Sequence, residues 1–188
     1  MNAFLVSLGV IFVAELGDKS QLMALAFAAR YNARSIIIGI TLATALVHLA
    51  SVVLGAVVGA ALPTKTIAIV AGIAFLGFAV WTIRGDKLDD DEEAKVAKTD
   101  RSVILAVGTA FFLAELGDKT MLATITLATT NGLFGTWLGS TLGMVAADAL
   151  AIVVGQQLGT RLPEKTIKIG AAISFVAFGI ILILEGIR

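Results

Sequence analysis

The sequence repeats itself one hundred positions on, without a gap. The run Ala14, Glu15, Leu16, Gly17, Asp18, Lys19 and Ser20 lies on Ala114, Glu115, Leu116, Gly117, Asp118, Lys119 and Thr120. Leu62, Pro63, Lys65, Thr66 and Ile67 lie on Leu162, Pro163, Lys165, Thr166 and Ile167, and Gly39, Gly55 and Gly59 lie on Gly139, Gly155 and Gly159. About three in ten aligned positions are identical, which is strong for the internal repeats of membrane carriers. Apolar bias alone does not reproduce proline, lysine and acid positions together, so the halves are read as two copies of one unit.

Each unit is too apolar to be a soluble domain. The chain is 58% hydrophobic and 15% charged, where soluble domains are about half apolar and about a quarter charged. Apolar stretches of about twenty residues match the thickness of a bilayer core. Six are expected, at 3–29, 35–62, 66–83, 102–130, 133–160 and 166–187. The first lacks the basic start of a signal peptide and runs too long for one, so it is read as a retained membrane helix. The expected fold is an all-α integral membrane protein of six transmembrane helices. Residues 1–85 form one three-helix repeat, 86–101 a cytoplasmic linker holding Asp89, Asp90, Asp91, Glu92 and Glu93, and 102–188 the second repeat.

Three spans per unit make the second unit enter from the opposite face, so the repeats are expected to be inverted. Loop charge sets the orientation. One side carries Arg30, Arg34, Arg84, Lys87, Lys95, Lys98, Arg101, Arg161, Lys165 and Lys168; the other carries Lys65 and Arg188. The basic side is expected to be cytoplasmic, with both termini outside. Trp81 and Trp137 read as interface anchors.

The repeated motif falls near the middle of the first and fourth spans, where a charge costs several kcal/mol. On a helix Glu15 and Asp18 would share a face, as would Glu115 and Asp118. Gly17 and Gly117 permit either close helix approach or local unwinding, which would free carbonyls as ligands. Ser20 and Thr120 add hydroxyls. Lys19 and Lys119 could neutralise two of the four acids in a static polar plug; two negative charges would remain, the charge of one divalent cation. The chain has no cysteine, so the ligands are oxygens of the kind that suit magnesium, calcium or manganese. Met23 and Met121 read as packing residues. His48 aligns with Asp148; either could pair with a motif lysine or relay protons. Thr41, Thr44, Thr141, Gln156 and Gln157 read as helix–helix hydrogen-bonding residues.

The composition also excludes. Net charge is zero, which gives no electrostatic case for nucleic acid. There is no phosphate-binding loop, so transport is expected to be secondary rather than ATP-driven. With one histidine and no nucleophile–base–acid set, an enzyme is not expected, nor a permanently bound cofactor.

The doubled Glu-x-Gly-Asp-Lys-Ser/Thr motif resembles that of the Golgi-type manganese/calcium–proton antiporter family, within the cation/calcium exchanger superfamily. The compact chain is most similar to the bacterial manganese exporters of the MneA type. The resemblance covers essentially the whole chain. It implies a carrier in a bacterial inner membrane that exports Mn2+, or alternatively Ca2+, in exchange for protons. It carries over Glu15, Asp18, Glu115 and Asp118 as ion-binding acids, with Gly17, Lys19, Ser20, Gly117, Lys119 and Thr120 as supporting motif positions. The expected partners are the metal ion, protons and the lipid bilayer. Four acids could instead hold an ammonium group, so export of small organic cations such as basic amino acids stays open, as does a non-transporting membrane scaffold.

Overall fold

The structure, a computed structural model, describes residues 2–28, 30–84, 102–158 and 164–188. The linker at 86–101 and Pro163 lie outside them, and the side chains of Gln156 and Gln157 are not described. The regular secondary structure among the described residues is all helix, with no strand. The helices are α1 (Ala3–Glu15), α2 (Lys19–Ala28), α3 (Ala33–Ala61), α4 (Thr64–Arg84), α5 (Val103–Glu115), α6 (Lys119–Thr130), α7 (Leu133–Leu158) and α8 (Glu164–Ile187).

Four helices are long and apolar enough to cross a membrane: α3, α4, and the segments Leu133–Val154 of α7 and Ile169–Ile187 of α8. The first and fourth expected spans are not single helices. Each is two shorter helices meeting at the motif, and this corrects the reading of Glu15 and Asp18 as neighbours on one regular helix face. The cause is local. Gly17 has φ +75° and Gly117 φ +81°, the left-handed region that side chains resist. Leu16 and Leu116 before them are extended, so α1 and α5 end at their glutamates. Asp118 then caps α6 by accepting the Thr120 N–H. A Cβ at Gly117 would meet nothing within 4 Å, so only the backbone conformation demands glycine there. Gly117→Ala is therefore expected to cost about 1–2 kcal/mol, the penalty of a left-handed residue with a side chain. Thermal unfolding in detergent micelles checks this.

Each broken pair packs on the long helix of the opposite half: α1 and α2 on α7, and α5 and α6 on α3. The α4 and α8 helices pair with each other, as do α3 and α7. In lipid the helices gain little from burial itself, so close backbone approach carries much of the cohesion. Glycines supply it and record the direction of each pair. Along α7, Gly135, Gly139 and Gly143 lie in turn against Phe4, Leu8 and Phe12 of α1, so these helices run parallel. Gly55 and Gly59 of α3 lie against Ile125 and Thr129 of α6, also parallel. Gly72 meets Ile183 while Gly186 meets Ile69, so α4 and α8 run antiparallel.

Residues one hundred apart meet at the centre. Thr44 donates its hydroxyl to the Met144 sulfur at 3.4 Å, and the rings of Phe75 and Phe175 lie 5.8 Å apart. Phe78 against Phe175 and Phe75 against Phe178 complete a four-ring cluster between α4 and α8. Thr41 instead bonds the Ile37 carbonyl of its own helix, and the Thr141 hydroxyl has no partner among the described residues. Trp137, expected as an interface anchor, donates its indole N–H to the Ala45 carbonyl at 2.9 Å and so ties α7 to α3.

Candidate metal centre

The acids that flank the breaks at Leu16–Gly17 and Leu116–Gly117 turn inward from them. Glu15, Glu115 and Asp18 are buried, and each offers a carboxylate oxygen within 4.8 Å of the others. Two oxygens on opposite sides of a hard cation stand about 4–5 Å apart, twice its bond length. The spacing therefore suits one divalent ion shared by three carboxylates. Asp118 is buried too but is not in this group; its carboxylate is engaged as the cap of α6. The positive ends of α2 and α6 start at the residues after the two aspartates, which favours negative charge there.

The hydroxyls do what short polar side chains do beside buried acids. Ser20 donates to Glu15 in a close contact and to Asp18 at 3.4 Å, and Thr120 donates to Glu115 at 2.8 Å. One oxygen of each glutamate is thereby satisfied. The other, Oε2 of Glu15 and Oε1 of Glu115, is buried with no hydrogen-bond partner among the described residues. Charged oxygens left this way are costly unless a cation or proton joins them.

The motif lysines separate in role. Lys119 is buried and forms an ion pair with Asp18, across the two halves. Lys19 is half-buried. His48 and Asp148 are both buried, and neither ring nitrogen nor either carboxylate oxygen has a hydrogen-bond partner among the described residues. Among the described residues neither is seen paired with a motif lysine, and Lys119 reaches Asp18 instead.

Gln21 went unnoticed in the sequence. Its side-chain oxygen accepts the Gly17 N–H at 2.9 Å, and its amide donates to the Ala147 carbonyl of α7 at 3.0 Å. It heals the break in the first half and ties it to α7. In the second half the equivalent residue, Met121, receives the Gly117 N–H on its sulfur at 3.2 Å, so this methionine closes the break as well as packing. Met23 is buried in the core, as a packing residue is.

The Lys119–Asp18 pair thus joins the two halves beside three converging carboxylates. The sequence matches the GDT1 divalent cation/proton antiporter family over residues 3–90 and 103–188. The chain belongs to this family. As a GDT1-family protein it is a membrane cation/proton antiporter by descent, in a family of transporters rather than catalysts. It is 35% identical over 171 residues to a candidate manganese exporter of Vibrio cholerae, covering 89% of this chain and 84% of that protein. A GDT1-like protein of Synechocystis is 29% identical over 199 residues, covering 96% of both. The chloroplast protein PAM71 of Arabidopsis thaliana is 30% identical over 203 residues, covering 94% of this chain and 55% of its own length. No solved structure matches the chain.

Proposed function

We propose that this GDT1-family chain exports divalent metal ions, Mn2+ first and Ca2+ as the alternative, in exchange for protons taken inward. The observation that carries the reading is the buried convergence of Glu15, Asp18 and Glu115, with an unpartnered oxygen on each glutamate. Asp118 is the fourth acid, held at the edge of the group and available when the breaks shift. The same oxygens hold protons or a metal but not both, so metal and protons displace each other. No separate proton path is required. The name of the Vibrio relative supports manganese as cargo and export as direction.

The architecture proposed is six spans in two inverted three-helix repeats, residues 1–85 and 102–188, joined by a cytoplasmic linker at 86–101. The broken pairs α1–α2 and α5–α6 each count as one span. Parallel α1 and α7, parallel α3 and α6, and antiparallel α4 and α8 support this arrangement. Both termini lie outside a bacterial inner membrane, on the loop-charge argument. Rocking of one repeat against the other exposes the acids to each side in turn. Lipid and the two exchanged ions are the partners, and no cofactor is needed.

Purified protein in vesicles acidic inside and diluted into neutral medium tests the reading. Mn2+ is expected to accumulate against its gradient, and collapse of the pH difference should stop it. Apparent metal affinity should fall as the pH falls, because protons compete for the ligand oxygens. Uphill Mn2+ movement with neither a pH difference nor a membrane potential overturns proton exchange. Equal counterflow with lysine would favour the organic-cation reading, but oxygens this close leave little room for an ammonium on its alkyl stem.

A further inference from the structure

The motif supplies acids from the two breaks, and the structure buries another acid near them, outside the group of three whose oxygens converge. Asp148 sits on α7, is fully buried, and has no hydrogen-bond partner on either oxygen among the described residues. A lone buried carboxylate is among the most expensive side chains a membrane helix can hold. Its surroundings make the cost worse. It lies within repelling range of Asp18, Glu15 and Glu115, and among the described residues no lysine or arginine is paired with it. It is also held in place. The preceding residue, Ala147, accepts the Gln21 amide, and Gln21 in turn receives the Gly17 N–H. This bridge fixes the Asp148 turn of α7 at the level of the first break.

The equivalent position in the other half behaves differently. His48 on α3 is equally buried, but among the described residues no charged group acts on it and neither ring nitrogen has a hydrogen-bond partner. Nor is there an equivalent of the Gln21 bridge among the described hydrogen bonds, since Met121 cannot donate to a carbonyl. The two half-sites are therefore chemically unequal. One is faced by an acid tied to the ion cluster, the other by an imidazole outside its field.

We infer that Asp148 is a further ligand of the transported divalent cation, contributed by α7 to the Glu15, Asp18 and Glu115 cluster directly or through one water. The inference rests on the proposed transport reading, and deepens it by assigning a ligand from outside the repeated motif. A further carboxylate added to Glu15, Asp18 and Glu115 favours a divalent ion over a monovalent one. It also makes the site lopsided, so that metal is held more tightly when the α7 side closes on it than when the α3 side does.

The test uses the full-length protein in detergent and Mn2+ as probe. Asp148→Asn is expected to weaken Mn2+ binding by tenfold or more in calorimetric titration, while raising the melting temperature of the metal-free protein by relieving repulsion. An acid with a merely structural role gives the opposite pattern: a lower melting temperature and unchanged affinity. The chain has no cysteine, so Asp148→Cys places a single thiol in the protein. Cd2+ added to that variant should produce the ultraviolet charge-transfer band of a cadmium–thiolate bond, which arises only if the side chain reaches the metal. This second readout stands if the asparagine variant fails to fold. If the unaltered protein binds Mn2+ but Asp148→Asn binds it as tightly, and Asp148→Cys shows no band with Cd2+ bound, the inference fails and the transport reading survives. If the unaltered protein binds no divalent ion at all, the transport reading itself fails.

Discussion

Glu15→Gln and Glu115→Gln each abolish proton-driven metal transport, with metal affinity falling about a hundredfold or more. Each glutamate gives one oxygen to a hydroxyl, Ser20 or Thr120, and keeps the other buried and unpartnered. The amide preserves size and removes one charge from a group that must compensate a buried divalent ion. Removing one partner from a buried charge assembly costs about 3–5 kcal/mol, and every 1.4 kcal/mol is tenfold in affinity. The empty protein should not suffer in the same way, because one fewer acid in the cluster lowers mutual repulsion. Thermal unfolding with and without Mn2+ separates the two effects: the metal-free melting temperature holds or rises, and the metal-induced increase disappears. Normal Mn2+ export by both variants would show that these acids are not the ion's ligands.

Lys119→Met is expected to damage the empty protein instead. Lys119 pairs with Asp18 from the opposite half, and both are buried. Without the ammonium, Asp18 loses its cation from the opposite half, and breaking such a buried pair should cost about 3–5 kcal/mol. Asp18→Asn in the same chain should recover most of that stability but not transport, because the acid is also a proposed ligand. The two single variants and the double form a cycle whose coupling energy reports the pair. In Lys119→Met alone, Mn2+ should stabilise more than it does in the unaltered protein, since the metal takes over neutralising Asp18. Lys19→Met, at a half-buried position, should cost less. A Lys119→Met protein as stable as the original, with Asp18 intact, would mean the pair contributes nothing.

The parts of this molecule most legible in its sequence are those the bilayer dictates. Apolar length set the long helices to within about two residues, because lipid leaves little latitude in where a span starts or stops. The motif acids were legible because charge at that depth needs a reason. The break at Gly17 was not decidable, since a glycine beside an acid reads the same whether it serves close packing or a left-handed turn; only the φ of +75° resolves it. The partner of Lys119 was hidden because no spacing along the chain shows that Lys119 folds onto Asp18, a residue 101 positions away. Gln21 gave no signal, since one amide in an apolar run has no spacing to notice. His48 and Asp148 were legible as a mismatch, but nothing along the chain shows that Lys119 reaches Asp18 instead of either.

The crossing of each broken helix pair onto the long helix of the other half has a consequence for synthesis. As α1 to α4 leave the ribosome, Asp18 has no Lys119, Gln21 has no Ala147 carbonyl, and α3 has nothing to close its glycine groove. The early chain therefore sits in the bilayer with its most costly groups exposed to one another and to lipid. Contacts about a hundred residues apart form late and slowly. A nascent chain stalled before α7 is thus a natural target for membrane quality control, and the second copy of the unit serves as the folding partner of the first.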